Sequence, residues 1–338
     1  MSNKPGVSAA LRRERHGAAG LFLFLVALGA GAVVAEAQQA KVYRVGVILQ
    51  GGPYYAAIDG LREGLRELGS EEGKAFILDI RDAKGDLKAV EEAARGLAGD
   101  KVHLIYALAG SVTNAAKRAT ADIPIVFSVG SDPVTLGLVE SIPRPGGRLT
   151  GVHFQLTDLT GKRLEILKEI VPRVSRVVTF YDPSNRGAKE AAMLGREAAR
   201  QLGIQFVERH VASVDELQLG LRALKAGEVD AYFFTSDAMV ASQAQLIIDT
   251  AKAKKLPTMF HEQSLVERGG LASYGLSFRE IGRMSAKYVH RILAGVQPRD
   301  LPVERVHKLE LALNLRTARE LGLAVPQEML MRADKLIQ

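Results

Sequence analysis

The chain has 338 residues, 47% of them hydrophobic and 25% charged, which describes a globular protein of about two domains. Its net charge of +7 is scattered among acidic neighbours, as in Arg62-Glu63, Arg66-Glu67 and Arg319-Glu320, and not gathered into a stripe, so nucleic acid is not an expected partner. Cysteine is absent, which excludes a disulfide framework, a thiolate metal site, a cysteine nucleophile and a lipid-modified N-terminal cysteine.

The N-terminus carries Lys4, Arg12, Arg13 and Arg15, then an uncharged apolar stretch from Ala18 to Val34, then Ala35-Glu36-Ala37. A basic region, an apolar region and an A-x-A site in that order read as a secretory signal peptide over residues 1–37, cleaved after Ala37. The apolar stretch is shorter than the roughly 20 residues a spanning helix needs. The expected product is an exported, periplasmic chain with no stable membrane insertion after cleavage.

From Val42 onward, short apolar runs alternate with amphipathic stretches. The runs are Tyr43–Leu49, Phe76–Ile80, Leu104–Leu108, Ile125–Val129, Val177–Tyr181, Gln205–Val211, Ala231–Thr235, Pro257–Phe260 and Leu271–Tyr274. Helical spacing fits Tyr55–Leu68, where Ala57, Leu61, Leu65 and Leu68 recur at three and four. It also fits Leu87–Leu97, Ser111–Ala119, Leu159–Ile170, Ala188–Leu202, Val214–Ala226, Ala241–Lys254 and Phe278–Leu293. Strand and helix taking turns predict an α/β fold with mostly parallel sheets. The series occurs twice, about 42–150 and 175–275, around the breaker cluster Pro143-Arg144-Pro145-Gly146-Gly147. The stretch Leu149–Phe154 reads as a lobe-to-lobe connection. Two doubly wound lobes place two sets of strand ends opposite each other, with a ligand cleft between them.

Enzyme motifs are missing. Gly69-Ser70-Glu71-Glu72-Gly73-Lys74 has one residue too few for a phosphate loop, and His261-Glu262 lacks the second histidine of a zinc helix. No pair of the seven histidines stands at metal-ligand spacing. The sequence therefore predicts neither catalysis, nor a metal, nor a cofactor.

What remains is polar groups at strand ends. Gly52 and Tyr54 follow the first strand, and Gly110, Ser111 and Thr113 open the helix after the third, a start suited to a carboxylate. Asp132 ends the next strand, in Gly130-Ser131-Asp132-Pro133. In the second half stand Asn185, Ser236, Asp237, Glu262 and Tyr274. Each has a plainer use, the serines and acids as helix caps and the tyrosines in packing. Asp132, Asp237 and Glu262 are candidate partners for an ammonium group. Tyr54, Phe154 and Tyr274 are candidates to sandwich a planar group.

With these residues in place, the chain resembles the periplasmic substrate-binding proteins of ABC transporters, in the group that includes tryptophan- and tyrosine-binding members. The resemblance rests on "IPIVFSVGSDPVTLGLVESIPRPGGRLTGV" (123–152), "LTGKRLEILKEIVPRVSRVVTFYDPSN" (159–185) and the tail 301–338. It implies a type I periplasmic-binding fold, two doubly wound parallel-sheet lobes joined by a three-crossover hinge. The N-terminal lobe would be 41–150 plus 277–305, and the C-terminal lobe 151–276 plus 306–338. It further implies an exported subunit that captures a small molecule, an amino acid or related zwitterion, and hands it to an ABC permease with its ATPase. A periplasmic ligand sensor feeding a signalling receptor is the alternative. By the resemblance, Asp132 lies on the cleft wall of the first lobe.

Overall fold

The computed structural model describes residues 42–154 and 156–338. The expected signal peptide lies outside the described residues. Strands β1 (Tyr43–Leu49), β3 (Leu104–Leu108) and β4 (Ile125–Val129) are apolar runs that carry helices on both faces, as buried parallel strands require. With β2 (Phe76–Asp82), β5 (Leu149–His153) and β11 (Glu304–Arg305) they form a six-stranded sheet in the order β11-β5-β4-β3-β1-β2, parallel throughout.

The second sheet has seven strands in the order β13-β12-β10-β9-β8-β6-β7. They are β6 (Arg176–Tyr181), β7 (Gln205–His210), β8 (Ala231–Phe233), β9 (Thr258–Phe260), β10 (Ala272–Gly275), β12 (Glu310–Asn314) and β13 (Lys335–Ile337). Only the β10–β12 pair is antiparallel. The chain passes between the sheets three times, after β5, after β10 and after β11. Two doubly wound α/β lobes joined by three crossings are the architecture the sequence predicts.

The late helix Phe278–Leu293 returns to the first lobe and packs on the helix Tyr55–Glu67. Small residues make that contact possible. A Cβ on Gly60 would stand 1.8 Å from the Arg279 carbonyl oxygen, and one on Gly282 would stand 1.9 Å from that of Ala57. One apolar cluster continues from the inner face of the first sheet (Val45, Val47, Tyr106) through Phe154 and Phe278 to Phe180, Tyr232 and Phe260 of the second. Separate clusters fill the outer faces, one around Phe127 and Val112, the other around Leu167 and Phe233.

Three expectations need correction. Leu149–Phe154 is not a connection, because β5 is a full strand bonded to β4 on one side and β11 on the other. The first crossing therefore begins after His153, later than residue 150. Gly151 is a poor strand signal, yet a Cβ there would stand 2.1 Å from the Phe127 carbonyl oxygen, so close packing selects glycine. The helix expected over Ala241–Lys254 is two, Ala238–Ser242 and Ala244–Ala253, broken at Gln243. Beyond residue 306, the tail folds as β12, the helices Leu315–Glu320 and Gln327–Arg332, and β13, elements too short to show a period.

A candidate ligand cleft between the lobes

The C-terminal ends of both sets of strands enclose a cavity of about 270 Å³. The first lobe supplies Ala109, Gly110 and Ser111 after β3, and Ser128, Gly130 and Ser131 around the end of β4. The second lobe supplies Ser184 to Gly187 after β6, with Ser236 and Ala238 after β8. Phe154 and Leu156, on the first crossing, and Phe278, on the second, close its apolar end beside Tyr54. The Tyr54 and Phe278 rings stack with centroids 5.1 Å apart, and Phe154 meets Phe278 at 6.0 Å. Such a wall suits a flat apolar group.

Part of the polar lining is backbone. Ala109 holds φ 92°, ψ 152°, a conformation uncommon outside glycine, and so turns the chain sharply into the helix Gly110–Ala119. No side chain caps that helix, and Gly110 and Ser111 stand on the cavity wall. First-turn amides without an intrahelical acceptor, at the positive end of the helix dipole, favour an anionic oxygen. Asn114 and Arg118 follow at intervals of four residues on the same helix face and also line the cavity.

The second-lobe wall is different, for its helices are capped by side chains. The Asn185 amide oxygen accepts the Ala188 N–H at 3.4 Å, and Asp237 accepts the Val240 N–H at 3.1 Å. The other Asp237 oxygen accepts the Asp182 N–H at 3.2 Å and the Asn185 side-chain N–H at 3.1 Å. Glu262 accepts the Ser264 N–H at 2.8 Å and the Ser264 hydroxyl. Burial pushes the Asp237 carboxyl up to about 6 and that of Glu262 up to about 7, against the pull of these donors. Burial also holds the neighbouring His261 imidazole well below its usual range, with Arg163 adding to the effect.

Of the residues singled out in sequence, the structure brings Tyr54, Gly110, Ser111, Phe154, Asn185 and Ser236 to this one cavity. The others lie elsewhere. Thr113 is fully buried and donates its hydroxyl to the Ala109 carbonyl at 2.8 Å. Gly52 is a lobe-to-lobe contact, where a Cβ would stand 2.2 Å from the Ala241 carbonyl oxygen. Asp132 lines a smaller recess of about 50 Å³ beside the cavity and accepts the Thr135 N–H at 2.8 Å. Asp237 and Glu262 are the buried caps just described, and Tyr274 packs against the outer core of the second lobe. Sequence reasoning missed Asn114 and Arg118, legible only once the helix face is fixed by Ser111. It missed Ser128, Arg186 and Phe278, which no local pattern marks. Arg186 also reaches across the cleft to donate to the Thr135 carbonyl at 3.2 Å.

Comparison with known proteins bears on this geometry. The family described as ABC transporter substrate binding protein matches residues 43–337. A tyrosine-binding protein of Clostridioides difficile (strain R20291) is 26% identical over 264 residues, covering 78% of this chain and 76% of that protein. A solved ABC domain from Streptococcus pneumonia in complex with L-Trp superposes with a TM-score of 0.78 at 24% identity, over 88% of this chain and 100% of that one. The ligand-free, open structure of a substrate-binding protein with adhesive properties from Clostridium difficile gives 0.58 at 27% identity, over 88% and 99%.

Proposed function

Because the chain belongs to the ABC transporter substrate-binding protein family, we propose that it is the exported, solute-capturing subunit of an importer and that its ligand is an amino acid with a planar side chain. The observation that carries this reading is the cavity itself, whose lining combines uncapped helix amides and Ser111 with the aromatic group of Tyr54, Phe154 and Phe278. A carboxylate at the first and an aromatic ring at the second use both. Relatives described as tyrosine-binding and as a complex with L-Trp support the same class.

Capture proceeds by closure. The present arrangement is closed, with Gly52 against Ala241 and Arg186 against Thr135. Only a closed cleft brings both walls to one ligand, so ligand shifts the population toward it, and the three crossings absorb the motion. The lower TM-score to an open relative than to a ligand complex agrees with a hinge of this kind. The released subunit then docks on an ABC permease with its ATPase and leaves the ligand chemically unchanged. Among the described residues no helix is long and apolar enough to cross a membrane.

Thermal-shift screening of the exported chain against amino acids should raise the melting temperature for aromatic members, since binding only the folded state stabilises it. Small-angle scattering with the best hit should show a smaller radius of gyration. An unchanged radius would remove hinge closure from the reading, and a chemically altered ligand recovered after incubation would replace it with catalysis. Mass spectrometry of the exported chain should place its N-terminus at Gln38.

A further inference from the structure

We propose that the cleft holds its ligand by a carboxylate and a flat apolar body and does not require an ammonium group, so that aromatic acids lacking the amino group bind as well. This rests on the solute-binding reading and narrows what that reading selects.

The asymmetry of charge around the cavity carries the inference. Among the described residues its lining includes two guanidinium groups, Arg118 and Arg186, and no carboxylate side chain. Arg118 pairs with Glu91 at 2.8 Å, whereas Arg186, among the described residues, donates to the Thr135 carbonyl and pairs with no carboxylate. The remaining polar side chains are hydroxyls and amides. An anionic oxygen therefore meets open helix amides, the Ser111 hydroxyl and a net positive rim, and charge-assisted bonds of this kind are the stronger ones.

An ammonium group meets nothing comparable. The carboxylates at the neighbouring strand ends stand outside the cavity lining, and most of their oxygens accept donors of the protein itself. Both Asp237 oxygens accept protein donors, as set out above. Asp182 accepts the Ser184 N–H and the Ser184 hydroxyl, each at 2.8 Å. Asp132 faces the side recess, with Arg186 lining both that recess and the cavity. Asn185 turns its N–H donors to Asp237 and its oxygen to Ala188. A cation brought into a closed cleft without a counter-charge loses its hydration for neutral acceptors, hydroxyls and the Asn114 amide oxygen, a poor exchange. The carboxylate, by contrast, is matched, and removing it from the ligand leaves buried donors unpaired.

The test is calorimetric titration of the exported chain with two series. One comprises L-tyrosine, hydroxyphenylpropionate and tyramine; the other comprises L-tryptophan, indolepropionate and tryptamine. In the series that fits, the acid lacking the amino group should bind within about tenfold of the amino acid, and the amine lacking the carboxylate should bind at least about a hundredfold more weakly. An acid more than tenfold weaker than its amino acid overturns the proposal and leaves the solute-binding reading standing. An amine that binds as tightly as the acid overturns it as well. If nothing in either series binds, the proposal falls together with the aromatic reading of the cleft.

Discussion

The two walls of the cleft start from the same sequence signature and end in opposite states. In both lobes an apolar strand stops at small polar residues and a helix begins. In the first lobe the helix Gly110–Ala119 starts after Ala109, which offers no side-chain acceptor, so its amides stay open to the cavity. In the second lobe Asn185, Asp237 and Glu262 occupy the capping positions, and their oxygens fold back onto the amides of Ala188, Val240 and Ser264. A polar side chain at a strand end is thus ambiguous until the cap is resolved. On the second-lobe wall the capping oxygens satisfy the helix amides; on the first-lobe wall Ala109 has none to offer, and the amides stay free for water or a ligand.

The largest expected effect comes from keeping the walls apart. Gly52 has φ +62°, and an alanine there places its Cβ 2.2 Å from the Ala241 carbonyl, backbone that cannot swing away. Gly52→Ala should cut ligand affinity by about a hundredfold or more, equivalent to about 3 kcal/mol, and the radius of gyration should no longer fall on adding ligand. Gly51→Ala is the control. Its φ of +82° and ψ of −157° lie in a region that glycine alone favours, so this variant is strained as well, but its Cβ would meet only the Asp82 side chain at 3.2 Å, within the same lobe. If both variants lose affinity equally, local strain is the cause and the contact between lobes is not.

An effect of similar size, on stability, sharpens the view of the second-lobe acids as internal caps. Glu262 is buried and its folded-state carboxyl is raised from 4.5 to about 7, first by burial. The folded chain therefore binds this proton more tightly than the unfolded chain does. The stabilisation linked to it is complete below about pH 4.5 and is lost as pH rises through about 7, amounting to about 3 kcal/mol as an order of magnitude. Asp237 adds a similar limb between 3.8 and about 6. Glu262→Gln mimics the protonated form, so relative to the parent its melting temperature should rise steadily from pH 4.5 to 7.5. A difference between the two that does not vary with pH would show that Glu262 is not held protonated by burial.

Much of the fold was legible because parallel strands buried on both faces must be continuous apolar runs, as at Leu104–Leu108 and Ile125–Val129. Leu149–Phe154 reads as strand-like from its residues, but its place inside the first sheet, between β4 and β11, depends on pairing that spacing does not encode. The cavity was only partly legible. Ser111 and Ser236 announce themselves as polar residues at strand ends, but whether Asp237 faces a ligand or Val240 depends on ångström-scale geometry that spacing does not encode. Phe278 reaches the cavity from a helix that returns to the first lobe late in the chain, and its neighbours in sequence give no hint of Tyr54 or Phe154. Its place there follows from Gly60 and Gly282 admitting the helix, a pairing visible only in three dimensions.

The smallest expected effect is at Asp132, the residue that the sequence places most prominently at the end of a strand. Its carboxylate accepts the Thr135 N–H at 2.8 Å, and asparagine can accept that bond with its amide oxygen. It sits in the recess beside the cavity, where Arg186 also lies. Losing its charge therefore removes no ligand contact and leaves the turn intact. Asp132→Asn should change the affinity for the best amino-acid ligand by less than about threefold, and stability by less than about 0.5 kcal/mol, the scale of a surface substitution. The measurement is most informative when made twice, with the amino acid and with its analogue lacking the amino group. A tenfold loss for the amino acid alone would place the ammonium group on Asp132 and give the first-lobe wall a counter-charge of its own. Equal small changes for both ligands would leave the open amides after Ala109 and the Arg186 guanidinium as the charges that select.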